Sequence, residues 1–205
     1  MARSRTRRAP AEADDAARCL AFINTLSARP TEDPSERLVS YEALVAWAIE
    51  AAVLREADGA ELMARSRRRE AEAASVLARA RDLRELLHAV VAASGEGRVA
   101  SAPTLSRLAE YLSGAFARAR LVPDDGTLQW VYAGGEELDR VLWEIARAAA
   151  RFVGSGLLRR VRACVASDCG WWFVDATRNH SRRWCEMKSC GNREKLRRFR
   201  ARHAG

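Results

Sequence analysis

The sequence predicts a mainly α-helical protein with one β-hairpin (α+β), in which a helical N-terminal domain precedes a small, cross-linked C-terminal unit with a basic helix. Three observations predict it. Apolar residues recur at helical spacing through most of the first 155 residues, and alternate at strand spacing only around Asp124-Asp125-Gly126. Four of the five cysteines fall in two pairs near the end, with the same gap inside each pair. The last fifty residues carry too little apolar content for a core of their own and need a staple.

The elements follow in order. Residues 1–11 are polar, basic and aperiodic, and are expected to form a disordered arm. Helical patterning begins near Asp14, with Cys19, Leu20, Ile23 and Leu26 as its apolar stripe. "SARPTEDPSERLVS" reads as a loop, because of its two prolines. Ser40 is placed to cap a helix over "YEALVAWAIEAAVL". Gly59 is expected to separate that helix from a long helical region, which breaks near 66–69 and ends before "SGEGRVASAP". Pro103 suits the first turn of a helix reaching about Ala117. Two short runs in "ARLVPDDGTLQWVYA" flank a hairpin turn. Helical spacing then returns, with Leu138, Leu142, Ile145 and Ala149 on one side. Gly154 and Gly156 mark a boundary. The expected organisation is an arm over 1–11, a helical sensing or dimerising domain over 12–155 and a finger over 156–205.

Charge is distributed unevenly. The net charge is +8, and residues 156–205 hold 13 basic against 4 acidic side chains. That segment therefore carries +9 and the preceding 155 residues −1, which suggests a nucleic-acid-facing tail on a near-neutral body. Of the 35 basic residues only Lys188 and Lys195 are lysine, so the clustering of arginine informs more than its abundance. No apolar run is long enough to span a bilayer. The start "MARSRTRRAP" leads into acidic residues rather than an apolar stretch, so no secretory signal and no membrane partner are expected, and a cytoplasmic, nucleoid-associated location is.

The cysteine spacing is Cys164-x4-Cys169-x15-Cys185-x4-Cys190. Two close pairs of soft ligands match a closed tetrahedral site for one structural zinc per chain. Disulfides need an oxidising compartment, for which nothing in the sequence argues. An iron–sulfur cluster is a minor alternative. Four thiolates leave no open position for catalytic zinc. His180 is a rival ligand that four thiolates make unnecessary, and Cys19 belongs to the core. Between the pairs, Trp171, Trp172, Phe173 and Trp184 are expected to pack around the metal or against the body, with stacking on exposed bases as the alternative, and "ATRNHSRR" reads as a turn between two short strands. In the closing "GNREKLRRFRARH", Leu196, Phe199 and His203 share one helical stripe through which the helix is expected to dock. Arg182, Arg183, Arg193, Lys195, Arg197, Arg198, Arg200 and Arg202 are the candidate nucleic-acid contacts, with Arg193 and Arg197 the candidates for base edges and the N-terminal "RSRTRR" for added contacts.

With "CGNR" at 190–193, this segment resembles the CGNR zinc finger almost throughout. "CLAFINTL" at 19–26, "LVAWAIEAAVL" at 44–54 and "LDRVLWEIARAAA" at 138–150 resemble the ABATE domain, a stress-induced transcription regulator family coupled to that finger. The resemblance implies a bacterial transcription regulator whose finger binds DNA, with the ligand role at Cys164, Cys169, Cys185 and Cys190; His180 stands where the family often has arginine. The expected function is a regulator that binds double-stranded DNA through a zinc-held basic helix, while the body senses a small-molecule effector or forms a homodimer. An RNA-binding zinc protein using the Trp/Arg-rich finger is the alternative. Asn24, Trp47, His88, Trp130 and Trp143 are candidate effector-pocket residues, since they join apolar bulk to hydrogen-bonding ends. No catalytic set converges: His88 near Glu85 is an ordinary helix-surface arrangement, and no phosphate-binding or dinucleotide motif is present, so an enzyme is not expected.

Overall fold

The computed structural model describes residues 8–132 and 137–203, with side chains from Glu12 onward. Helix α1 (Arg8–Ile23) is followed by the short strands β1 (Leu26–Ser27) and β2 (Ser35–Glu36), then α2 (Tyr41–Glu50), α3 (Glu56–Ser66), α4 (Glu70–Gly95) and α5 (Ala102–Ala117). The hairpin β3 (Ala119–Asp124) and β4 (Thr127–Tyr132) leads to α6 (Arg140–Val153). A 310 turn (Gly156–Arg160) then enters β5 (Val161–Ala163) and β6 (Trp172–Val174), and a π turn (Met187–Gly191) opens α7 (Asn192–His203). The fold is mainly helical with a small cysteine-bearing end, as the periodicity implies.

Local chemistry explains most boundaries. Ser40 caps α2 by accepting from the Ala43 N–H, and Ser101 caps α5 by accepting from Thr104. Asp125 and Gly126 both take positive φ, as a tight hairpin turn demands, and Leu121 pairs with Trp130 across it. Three expectations change. α1 begins at Arg8, so the helix takes in residues 8–11 of the expected arm, while 1–7 and most of "RSRTRR" lie outside the described residues. Gly59 sits inside α3 rather than before it, because a Cβ there would come within 2.4 Å of Ile49 Cδ1: the glycine lets α3 lie against α2. Finally, β1–β2 and β5–β6 form two further antiparallel pairs beside the hairpin.

The core gathers around α4. Val76, Ala80, Leu83, Leu87 and Val91 of this helix have no exposed surface and meet Phe22 and Ile23 of α1, Leu44 and Val45 of α2, and Ile145 and Phe152 of α6. Arg84, on the same helix, is buried and grips both carboxylate oxygens of Glu36 at 2.7 Å, with Thr25 Oγ1 at 3.2 Å. It thereby ties the β1–β2 loop to the core. Burial raises the Glu36 carboxyl, but Arg84, the Leu38 N–H and Arg81 together outweigh it and hold the group below its ordinary value. Val161 of β5 belongs to the same core, and Trp172 and Val174 of β6 pack against it. The last strand pair is therefore rooted in the helical body.

Candidate metal centre and nucleic-acid interface

β5 delivers Cys164, and the chain turns back through Cys169 to β6; the Cys164 N–H donates to Trp171 O at 2.8 Å and Cys169 N–H to Ala166 O at 3.1 Å. Gly170 makes this turn with φ +70, where a Cβ would meet Pro30 Cδ at 2.7 Å. Cys185 comes from the following loop and Cys190 from the π turn. All four sulfurs lie within 4.8 Å of one another, and none is in a disulfide. Cys169 Sγ is 3.7 Å from Cys185 Sγ, which is 3.6 Å from Cys190 Sγ. A tetrahedral ion about 2.3 Å from each sulfur separates them by about 3.8 Å, so the donor set fits zinc in type, number and spacing.

The thiols crowd each other unfavourably without a cation. Burial pushes the Cys169 thiol up to about 12 and raises Cys185 as well. At Cys164 burial also opposes ionisation, but backbone bonds from Cys185 and Ala166 bring it below its ordinary value. A divalent ion reverses this balance by stabilising every thiolate together.

The residues around the sulfurs form a small shell. Phe173 and Ala166 are buried against the cysteines, and Trp184 packs beside them. The Arg182 guanidinium lies 4.6 Å from the Phe173 ring centre, donates to Trp184 O at 2.9 Å and also reaches Cys185 O. Arg183 lies over Trp184 at 5.4 Å. Asp175, with no exposed surface, accepts from Thr177 Oγ1 at 2.5 Å, from Thr177 N–H at 2.9 Å and from Arg182 N–H at 3.0 Å. These bonds, the Thr177 hydroxyl first, hold its carboxyl below the ordinary value. "ATRNHSRR" is thus a loop organised by one carboxylate, not a turn between strands; β6 pairs with β5 instead. His180 is exposed and outside the sulfur cluster.

Arg193 donates to Asp168 Oδ1 at 2.9 Å and to Cys190 Sγ at 3.4 Å. It joins α7 to the first cysteine loop. Leu196 and Phe199 do not dock the helix: they are 49% and 58% exposed, while Glu194 is the buried side chain of α7. Glu194 pairs with Arg197. The helix therefore presents Leu196, Phe199 and His203 outward, with the exposed Lys195, Arg198 and Arg202 on one flank and Arg200 on the other. The buried Glu194 and the Arg193 bond to Asp168 set this orientation.

The five candidate pocket residues do not converge. Trp47 is buried against Phe22, with ring centres 5.1 Å apart. Tyr132 lies 5.6 Å from Trp143 and donates to its carbonyl at the base of the hairpin. Trp130 is 46% exposed and meets Phe116 edge-on. Asn24 and His88 serve the junction instead. The Asn24 amide donates to Trp172 O and accepts from Trp172 N–H, both at 2.9 Å, so it acts as one more strand partner for β6. His88 meets the Trp172 ring edge-on at 5.9 Å, and burial holds its imidazole below the ordinary value. Arg29 grips Glu85 beside it through two bonds, at 2.7 and 3.0 Å. Nothing in the sequence marks Asn24 as a clamp, since its partner is 148 residues away.

Residues 16–156 match the family model described as "Putative stress-induced transcription regulator", named ABATE, and residues 160–203 match the CGNR zinc finger. The search of curated proteins finds no match. Neither matched family is a catalytic domain type. No helix among the described residues is long and apolar enough to cross a membrane.

Proposed function

Because the chain belongs to the ABATE family of transcription regulators and ends in a CGNR zinc finger, we propose that it binds duplex DNA through α7, with one zinc ion holding Cys164, Cys169, Cys185 and Cys190 and the helical body reporting an effector or a partner copy. One observation carries the reading. Lys195, Arg198, Arg200 and Arg202 are exposed without an ion-pair partner among the described residues, on a helix whose first turn is fixed to the sulfur cluster through Cys190 and Arg193. A helix this short is marginal alone in water. Fixed at one end, it keeps a basic surface ready without an ordering cost at the moment of contact.

The geometry refines the division of labour. Arg193 and Arg182 are engaged within the finger, so they position it. Arg183, Arg198, Arg200 and Arg202 hold phosphates, and Lys195 and Arg197 supply polar contacts to base edges once Arg197 exchanges Glu194 for a base. Leu196 and Phe199 are suited to thymine methyl groups in the same groove. The RNA alternative needs an aromatic platform, and of the four rings between the cysteine pairs only Trp171 is exposed, at 42%.

A salt titration of duplex binding, with single-stranded RNA as competitor, tests this. With about six phosphates neutralised, log K falls with log salt at a slope near −5, and Arg198→Ala reduces that slope by about one on every sequence. Arg193→Ala weakens all sequences together and lowers zinc affinity about 10- to 100-fold, as loss of a ligand-orienting group does. Preferred binding of the RNA, or a slope unchanged by Arg198→Ala, refutes the reading.

A further inference from the structure

At the junction of body and finger lies a cleft of about 750 Å³, well within the size range of small-molecule sites. It is formed where the end of α4, the loop 97–100, the start of α5, the end of α6 and the 310 turn converge. Leu105, Leu108 and Leu158 supply apolar walls, and Arg98, Arg159 and Arg162 stand around them. No aspartate or glutamate lines it. Glu96, just before the loop, pairs with Arg98. Arg162 donates only to main-chain oxygens, those of Arg159 at 3.1 Å and Val161 at 2.7 Å, and Arg159 is exposed with no side-chain partner among the described residues.

Apolar walls ringed by guanidinium groups, of which Arg159 and Arg162 meet no carboxylate among the described residues, select one ligand chemistry. We infer that this cleft binds a small amphipathic organic anion, whose apolar body covers Leu105, Leu108 and Leu158 and whose carboxylate or sulfonate meets Arg159, joined by Arg98 as it exchanges Glu96 for the ligand. A purely apolar ligand leaves the arginines unanswered, and a bare inorganic anion leaves the walls wet. This deepens the effector-sensing part of the function proposed above and rests on it.

The position of the cleft explains why a ligand there reaches the finger. Ser94 donates to Leu158 O at 3.1 Å, linking α4 to the 310 turn behind the cleft. Gly95, which lines the cleft, faces Trp172 so closely that a Cβ would meet the ring at 2.8 Å. Arg162 is the partner of Phe173 in the β5–β6 register, and Cys164 follows two residues later. Any ligand that spreads α4 from the 310 turn therefore shifts the root of the sulfur cluster.

The test uses the full-length, zinc-loaded chain and three probes: decanoate below its micelle concentration, decanol, and inorganic phosphate. Titration calorimetry is expected to show decanoate binding at least tenfold tighter than either of the others. Arg98→Gln with Arg159→Gln weakens decanoate about tenfold, the size of one charge-assisted hydrogen bond. Leu105→Asp, at a partly exposed wall position, abolishes binding without unfolding the chain, which circular dichroism checks. Equal binding of decanol overturns the anion requirement, and equal binding of phosphate makes the cleft a phosphate site. Wild-type affinity in both variants places the ligand elsewhere. A separate arm repeats duplex binding with and without saturating decanoate. If DNA is not bound at all, that arm fails while the calorimetry stands, so failure of the DNA reading and failure of the site are told apart.

Discussion

In the helical body, Phe22, Leu83, Leu87, Leu138 and Phe152 have no exposed surface; in the finger, the buried set is three cysteines, Ala166 and Phe173, with Cys185 and Trp184 alongside. The first region is held by apolar burial, in which each large side chain contributes roughly 1.5–3 kcal/mol. The second has almost nothing of that kind but holds four cysteines compatible with structural zinc, which would supply about 10–16 kcal/mol of apparent binding free energy, as in small zinc-folding peptides. Their surfaces differ in the same way, near-neutral in the body and strongly basic in the finger. The contrast teaches that a segment with too little apolar core concentrates its buried contacts on a metal-type donor set, from which a highly charged helix can start.

The largest expected effect tests that contrast from the finger side. Purified chain carries one zinc, and Cys185→Ser removes it. Hydrogen exchange is then expected to show lost protection over 164–171 and 175–203, while α4 keeps its protection. β5 and β6 are expected to stay partly protected, because Val161, Trp172 and Val174 belong to the body core. Metal analysis finding no zinc in chelator-free protein, or melting of α4 in the variant, breaks the comparison. The reciprocal change is Leu87→Ala, which leaves a cavity where the side chain is fully buried and costs about 2–5 kcal/mol. Denaturant unfolding followed by helix signal is expected to move by that amount, with zinc content unchanged.

These two regions were unequally legible in the sequence, and the reason is the range of the interactions. Ser40, Pro103, the Asp125-Gly126 turn and the cysteine quartet all act through neighbours a few residues away, so their spacing carries the signal. Gly59 reads as a break, yet it is a helical contact with Ile49 whose meaning exists only once α2 and α3 pack. Leu196 and Phe199 read as a docking stripe because periodicity identifies an apolar face without saying which way it turns. Here the buried Glu194 and the Arg193 bond to Asp168 set that direction. Asn24 and His88 were legible as polar-tipped groups near apolar surface, but not as partners of Trp172, which only the folded chain brings to them.

A smaller effect sharpens the comparison at the seam between the regions. Asn24→Ala removes both bonds to the Trp172 main chain and leaves an N–H and a carbonyl without their partners in a half-buried site, at a cost of about 1–3 kcal/mol. The expected signature is selective: exchange at β6 rises, while the cores of α4 and α6 and the zinc content are unaffected. Asn24→Asp is the informative companion, since it keeps the acceptor for Trp172 N–H and loses the donor. Uniform destabilisation of the whole chain by Asn24→Ala would mean that body and finger fold as one unit with no separable seam.

The smallest expected effect comes from pH at the same seam. Burial beside Trp172 lowers the His88 imidazole from its ordinary 6.5, Arg29 adds to the shift, Glu85 opposes it and Arg84 adds a little more. A group whose folded pKa is depressed contributes stability that is present above the unfolded value and lost as pH falls toward the folded one. The junction is therefore at full strength above about pH 6.5 and weakens below it, as the unfolded chain takes up a proton that the folded chain resists. Glu85 and Glu36 add the same sign at lower pH, because their folded carboxyls lie below the ordinary range. Protonation of the cysteine thiolates would also release a bound zinc in acid, so the comparison has to isolate His88. Unfolding of wild type and His88→Gln between pH 7.5 and 5.5, with zinc content measured at each point, does so. The wild type is expected to lose more stability across that range than the variant, with the difference confined to β6 and α4 exchange. Parallel pH curves for the two would remove His88 from the seam and leave Asn24 and the Arg29–Glu85 pair to hold it.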